Sequence, residues 1–267
     1  MHKNDCVIYV ASWDGYSDLW DPFFELFWKH WPDCPYPVYL GCNSKQFNDP
    51  RVNMLYAGTH DNWTDRTREH LAVVDAKFVL MMLDDWYLIS AVNTKEIIEL
   101  VELMRKLDGR MLRLVTDPKP DTALAGHPKI GLLKTGKLNR TNTHATIWDR
   151  DTLLKLMRNG ESLWQFEVNG SIRSNVFSGG IYSVWKTAIK YIGAVDAGKW
   201  TRRAASTLKE FHIECNLEAR GVKTVQETYK HHVLNALATI LRKVTSLRFR
   251  QAAKMLLGGS DTYRKHR

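Results

Sequence analysis

Lys77-Phe78-Val79-Leu80-Met81-Met82-Leu83-Asp84-Asp85-Trp86 is the stretch on which the fold turns. Its apolar run is the length of a strand and has no alternation, which predicts a central strand buried on both faces. It ends abruptly in two acids. Working outward, Val7 to Ser12 reads as a short buried strand that turns at Trp13-Asp14-Gly15-Tyr16. A helix is predicted from Leu19 to His30, with Pro22 in its first turn and Phe23, Phe24, Phe27 and Trp28 on its apolar face. Tyr36–Gly41 and Val52–Tyr56 read as strands and Asp61–Asp75 as a helix. Thr94–Leu107 is a further helix, with Thr94 its expected cap and Ile97, Ile98, Val101 and Met104 facing the core. Strands alternating with helices predict an α/β domain on a mainly parallel sheet.

The second half is less regular. Met111–Val115 reads as a strand, and residues 117–145, rich in Pro, Gly, Lys and Thr, as a long loop or β-excursion. Asp151–Arg158 and Lys199–Glu210 read as helices, and Val176–Val184 as an extended segment.

The 267 residues are 44% hydrophobic and 25% charged, which excludes an intrinsically disordered chain. No apolar run reaches the roughly 18 residues of a transmembrane helix. The N-terminus lacks the pattern of a secretory signal. Cys6, Cys34, Cys42 and Cys215 form no CxxC pair, which disfavours a zinc site or disulfide framework and fits a reducing, cytoplasmic setting. The ten tryptophans suit pockets for flat or ring-shaped ligands.

The net charge of +9 is concentrated at one end. Residues 222–267 carry ten Lys/Arg against Glu227 and Asp261, a net of +8, which leaves +1 for residues 1–221. Within the tail, Val233, Leu237, Ile240, Leu241, Val244 and Leu247 recur at helical spacing. Asn235, Thr239, Arg242, Ser246, Arg250 and Lys254 fall on another face, and Gly258-Gly259 ends the pattern. A basic amphipathic helix of this kind is expected to lie against an anionic membrane, each nearby cation contributing on the order of 1 kcal/mol. The plainer alternative is a helix packed on the body with a solvated basic face.

Asp84 and Asp85 end a hydrophobic strand, where open α/β sheets bind their ligands. Carboxylates are hard oxygen donors suited to Mg2+ or Mn2+, and such an ion often bridges to a substrate phosphate. If both residues stay in the strand they point to opposite sides, and Asp85 is the favoured ligand. The plain reading is a charged strand end that begins a turn.

Several segments, taken in order, resemble bacterial glycosyltransferases of cell-surface polysaccharide biosynthesis, the enzymes of capsule, O-antigen and lipopolysaccharide assembly. They are Val7-Ile8-Tyr9-Val10-Ala11-Ser12-Trp13-Asp14-Gly15-Tyr16, Asp18–Phe24, Trp31–Leu40, Leu83–Trp86, Ile147-Trp148, Trp164–Glu167 and Gly198–Trp200. The resemblance runs from residue 7 to about residue 205 and omits the tail. It implies a GT-A-like, Rossmann-like fold with a nucleotide-sugar half at 1–115 and an acceptor half at 116–221. The basic tail, 222–267, would follow. Asp84-Asp85-Trp86 departs from the Asp-X-Asp spelling of such enzymes, which leaves open the metal requirement and which carboxylate meets the ion.

On this resemblance Ser12, Trp13 and Asp14 would lie at the nucleotide base and ribose. Arg66, Arg68 and Lys199 are candidates for the diphosphate, although a solvated helix face accounts equally well for the two arginines. Inverting sugar transfer needs a base for the acceptor hydroxyl. Glu167 is the expected one, since Trp164 and Phe166 before it would stack on sugar and desolvate its carboxylate. Asp149 is the second choice, unless it begins the helix after it, and Asp117 a third. His144 and His231-His232 are given no role. The expected partners are a UDP-sugar donor, a lipid-linked glycan acceptor and the inner face of the cell membrane, with no nucleic acid. A nucleotidyltransferase and a basic-tailed nucleic-acid-binding protein are the competing readings.

Overall fold

The computed structural model describes residues 5–137 and 139–228. The chain opens with β1 (Cys6–Ala11), a 3-10 turn over Asp14–Leu19 and α1 (Trp20–His30). β2 (Val38–Cys42), β3 (Val52–Tyr56), α2 (Trp63–Ala72), β4 (Phe78–Leu83) and the short β5 (Trp86–Leu88) follow. Next come α3 (Thr94–Lys106), β6 (Met111–Arg113), β7 (Thr122–Ala123), β8 (Ile130–Leu132) and β9 (Thr146–Asp149). The second half continues with α4 (Arg150–Leu156), α5 (Leu163–Arg173) and β10 (Ile181–Val184). β11 (Tyr191–Gly193), β12 (Val195–Asp196), β13 (Lys199–Trp200) and α6 (Arg202–Glu210) complete the described elements.

β1 and β4 are buried at every position, as the unbroken apolar run requires. Their alternating side chains feed two cores. Ile8, Val10, Leu80 and Met82 meet the aromatic face of α1 and the Ile97, Leu100 and Met104 stripe of α3. Tyr9, Val79 and Met81 meet Trp63 and Leu71 of α2, with Leu153 of α4 and Phe166 of α5. Helices therefore cover both faces of the sheet.

Nine strands are ordered β3-β2-β1-β4-β9-β6-β10-β8-β7. Seven run in one direction, and β8 and β9 are reversed. The chain builds outward from β1 through β2 to β3, then crosses back to place β4 on the other side of β1. The order therefore reverses between β1 and β4. Ala11 pairs with Leu83 there, so both strands end at one edge of the sheet. Thr146 pairs with Met81 and with Arg113, so reversed β9 begins where β4 and β6 end.

Several expectations change in detail. Asn93, not Thr94, caps α3: its side chain accepts from Glu96 N at 3.1 Å. The Thr94 hydroxyl instead donates to Asp33 Oδ1 at 2.7 Å and accepts from Trp31 Nε1 at 2.9 Å. Residues 117–145 form the β-excursion, pairing β7 and β8 onto β10. Lys199 and Trp200 are strand rather than helix, and the extended segment before Val184 begins only at Ile181. A helix stands at Leu163–Arg173, a stretch with no periodic apolar signal.

The start of the basic tail is part of the body. Lys223 N donates to Trp200 O at 2.9 Å, the Lys223 ammonium pairs with Asp196, and Glu227 pairs with Lys199. The amphipathic pattern at 233–254 lies outside the described residues. No helix among those described is long and apolar enough to cross a membrane.

Candidate functional site

Asp84 and Asp85 form the turn between β4 and β5, so strand alternation does not separate them. Both are buried, at 2% and 1% exposure. Ser12 Oγ, at the exit of β1, donates to Asp84 Oδ2 at 2.5 Å, and Trp20 Nε1 donates to Ser12 Oγ at 2.7 Å. A chain of indole, hydroxyl and carboxylate thus spans the point where the strand order reverses. The Asp85 carbonyl accepts from Ala194 N at 2.6 Å, which ties the turn to the segment after β11.

The loop after β1 is fastened to the loop after β2. Asp14 accepts from the backbone N–H groups of Asn43, Ser44 and Lys45 at 3.0, 3.0 and 3.2 Å, and from Ser44 Oγ at 2.7 Å. Partial burial opposes the charge, but these donors outweigh it and hold the carboxyl below its usual range. Trp13 stands beside Tyr16, ring centroids 5.7 Å apart, with its indole closing over Gly15. Ser12 and Asp14 therefore act first as supports of the two loops, and Trp13 is half-buried beside them.

Arg66 comes from α2 and is 2% exposed. It donates to the carbonyls of Asp61 at 2.6 Å and His60 at 3.2 Å. Burial lowers its pKa, while Tyr9, Asp84, Asp61 and Asp14 act in the opposite sense. It belongs with the acidic turn. Arg68, two residues on, is exposed and donates to the Leu154 carbonyl of α4 at 2.9 Å. The Lys199 ammonium is 2.6 Å from Glu227. The fold gathers Ser12, Asp14, Arg66 and Asp84, whereas Arg68 and Lys199 are engaged elsewhere.

On the other side of the turn a second group assembles. Trp86 stacks face to face on His144, centroids 4.5 Å apart and planes 2° from parallel. Tyr191 meets the edge of Trp86 at 4.5 Å. His144 Nδ1 is 4.0 Å from Glu167 Oε1, and Thr143 Oγ1 donates to the same oxygen at 3.1 Å. Arg113, fully buried at the end of β6, donates to Asp117 O at 2.8 Å and to Asn139 O. Burial pulls its pKa down to about 10 against the opposing influence of Glu167, Asp117 and Tyr191.

Glu167 lies within α5, at 6% exposure. Its expected aromatic setting is different. Phe166 points into the core against Trp63 at 5.3 Å and Trp148 at 6.3 Å, and helix geometry turns the next side chain another way. The aromatic surface on the Glu167 side is Trp86 with Tyr191, reached through His144. Asp149 is the N-cap of α4, accepting from Thr152 N at 2.8 Å, and lies at the far end of β9, paired with Phe78. Its place is structural, and it is not at the edge that carries the acidic turn.

The donor set at the turn is two carboxylates. Among the described residues no group of three or more His, Cys, Asp and Glu side chains is placed to hold a metal ion. Two hard oxygen ligands suit an ion that completes its shell with water and phosphate oxygens, as Mg2+ and Mn2+ do.

No known family profile matches this chain, and no curated protein matches it. Solved structures do resemble it. The S. aureus TarS 1-349 crystal structure is 11% identical with a TM-score of 0.44, covering 70% of this chain and 59% of that one. TarS 1-349 in complex with UDP-GlcNAc is 9% identical at 0.46, covering 81% and 69%. A CMP:2-keto-3-deoxy-manno-octonic acid synthetase complexed with CTP is 16% identical at 0.43, covering 78% and 96%. The chain thus spans about three fifths of the first of these structures. Likenesses of this size carry no conclusion about activity. The α/β reading rests on the strand order itself.

Proposed function

We propose that this chain is a glycosyltransferase that takes a sugar from a nucleoside-diphosphate donor, with a UDP-sugar the expected one, and passes it to a lipid-linked surface glycan. The observation that carries the reading is the Ser12–Asp84 hydrogen bond across the point where the strand order reverses. Crevices at such points are where open α/β sheets take nucleotides. There an acidic turn, a buried arginine and a loop pinned to its neighbour converge, and the earlier sequence resemblance implies the same donor side.

In this reading Asp85 would hold Mn2+ or Mg2+. Asp84, already engaged by Ser12, shapes the turn. The ion would act as a Lewis acid, neutralising charge on the departing diphosphate. Arg66 balances the charge of Asp84 and Asp14. The acceptor sugar lies against the Trp86 and Tyr191 aromatic surface, and its hydroxyl proton leaves toward Glu167. The basic tail keeps the enzyme on the inner face of the membrane, beside a lipid-carried acceptor.

A thermal-shift and calorimetry panel of UDP-, GDP-, CDP- and TDP-sugars, with and without Mn2+, tests the donor side. One nucleotide class binds with a metal requirement, and Asp85→Ala weakens that binding by at least about 10-fold, or 1.4 kcal/mol. A folded protein that binds none of them ends the proposal. Product analysis separates it from a nucleotidyltransferase, which releases inorganic diphosphate instead of a nucleoside diphosphate.

A further inference from the structure

We propose that the cavity beside α6 is the seat of this chain's own C-terminal segment, taking the apolar stripe of residues 233–247. The inference goes beyond the sugar-transfer reading and does not depend on it. The cavity has a volume of about 870 Å³ and lies between α6 and the chain that follows it. Leu208, Ile213, Leu217 and Val222 give it an apolar lining, and none of its lining residues belongs to the acidic turn or to the group around Glu167. Val222 is 37% exposed and Val225, three residues on, 64%. An apolar hollow continued by exposed valines is the kind of surface that a partner segment covers.

The wall is built without its occupant. Trp200 N donates to Gly221 O at 3.0 Å, and Arg220 pairs with Asp18 of the turn before α1. The chain then starts a helix: Thr224 N donates to Glu227 Oε2 at 2.8 Å and Glu227 N to Thr224 Oγ1 at 3.2 Å, a capping box ahead of the helical turn 225–228. Glu227 also pairs with Lys199, which ties that turn to β13. The described chain ends there. Val233 follows Thr228 by five residues, a link of at most about 17 Å. So short a link gives the chain's own segment a high effective concentration at the cavity, ahead of a second copy's.

The chemistry of the segment matches the seat. Its apolar stripe meets the apolar lining, and residues 233–254 carry Arg242, Lys243, Arg248, Arg250 and Lys254 with no acid among them. Glu214 lines the cavity, and its charge acts together with those of Asp21 and Glu25 on α1. Burial, and then Asp21 and Glu214, hold the Glu25 carboxyl above its usual range. None of the three acids has an ion-pair partner among the described residues. Arg202 and Lys209 stand on the α6 side, so the segment's cations belong on the Glu214 side. A stripe seated in this way turns the face of Arg242 and Arg250 outward, where an anionic surface can meet it.

Cys215 lines the cavity and serves as the reporter, while Cys6 and Cys42 are buried. Full-length chains receive one further cysteine, on the stripe (Leu237→Cys or Leu241→Cys) or on the polar face (Asn235→Cys or Thr239→Cys). A disulfide needs the two Cα atoms within about 7 Å, so under mild oxidation the stripe positions link to Cys215 within one chain at least about fivefold faster than the polar ones. A second readout adds no cysteine. In a chain carrying Leu237→Glu and Leu241→Glu, a small thiol reagent labels Cys215 at least about fivefold faster than in wild type. Equal linking from both faces, with labelling unchanged, overturns the proposal. Links found only between two chains assign the cavity to a second copy and overturn it too. A wild-type Cys215 labelled as fast as in the double variant, in a chain that sediments with anionic vesicles, gives the stripe to lipid and likewise overturns it.

Discussion

His70 joins α2 to β1 and β2. Its Nε2 is 2.8 Å from the Cys42 carbonyl and its Nδ1 2.8 Å from the Tyr9 hydroxyl. A carbonyl only accepts, so Nε2 carries the proton and Tyr9 donates to Nδ1, and the ring has no place for a second proton. Burial, reinforced by Arg66 and opposed by the Cys42 carbonyl, brings its pKa down to about 4. Gly41 makes room for it: a Cβ there would lie 2.5 Å from Nδ1. Between pH 6.5 and about 4 the unfolded chain binds a proton that the native ring refuses, so stability falls as pH falls through that window. The expected loss between pH 7 and pH 5 is about 2 kcal/mol. Urea unfolding at the two values measures it, and His70→Gln removes that part of the slope. At this scale the sequence was uneven. Asp84 and Asp85 stood out because they end an apolar run, whereas His144 had no such frame, since its partners Trp86 and Glu167 are distant in the chain.

The elements that were legible are those with one uninterrupted period. β4 and α3 begin or end within one residue of their predicted bounds. α5 was missed because its buried face includes Glu167, Gly170 and Ser171, which break the apolar stripe. The surviving signal was the Ser162–Gln165 spacing of a capping box, and the structure has both bonds: Gln165 N to Ser162 Oγ at 3.3 Å and Ser162 N to Gln165 Oε1 at 2.8 Å. Just before it, Glu161 and Thr64 exchange hydrogen bonds at 3.0 and 3.1 Å, and Arg173 grips the Glu161 carboxylate at 2.8 and 2.6 Å. Ser162→Ala removes the cap and is expected to cost about 1 kcal/mol, or about 2–4 °C in Tm for a body of this size. A thermal melt unchanged within error would show that the Glu161 links suffice. β5 and β11 were illegible for another reason: three residues each, among the described residues they pair only with one another.

Over the whole molecule the charge is divided between a nearly neutral body and a strongly basic end. The body's surface is laced with ion pairs such as Arg220–Asp18 and Lys129–Glu99, so an anionic surface finds little to attract it there. In the proposed function the tail would carry the attraction, which sets a test by vesicle sedimentation. Removing residues 230–267 abolishes association with anionic liposomes at low salt and leaves nucleotide-sugar binding unchanged. The full chain loses that association as salt rises, because the interaction is screened. Equal sedimentation of the truncated protein ends the membrane role.

The direction of β9 bears on how the proposed enzyme would change its acceptor. The chain leaves the edge that carries the acidic turn at Arg113, runs through residues 114–145 and returns to the same edge at Thr146. Both anchors of that excursion are fixed by neighbouring strands, so lengthening it adds little closure entropy, with each doubling costing about 0.6 kcal/mol. If the proposed function holds, a new acceptor would be accommodated by rewriting the largely exposed stretch 121–129 of the excursion, while β1 and β4 stay untouched. Diversity among glycans would then be written in the excursion, and the grammar of the donor kept in β1 and β4.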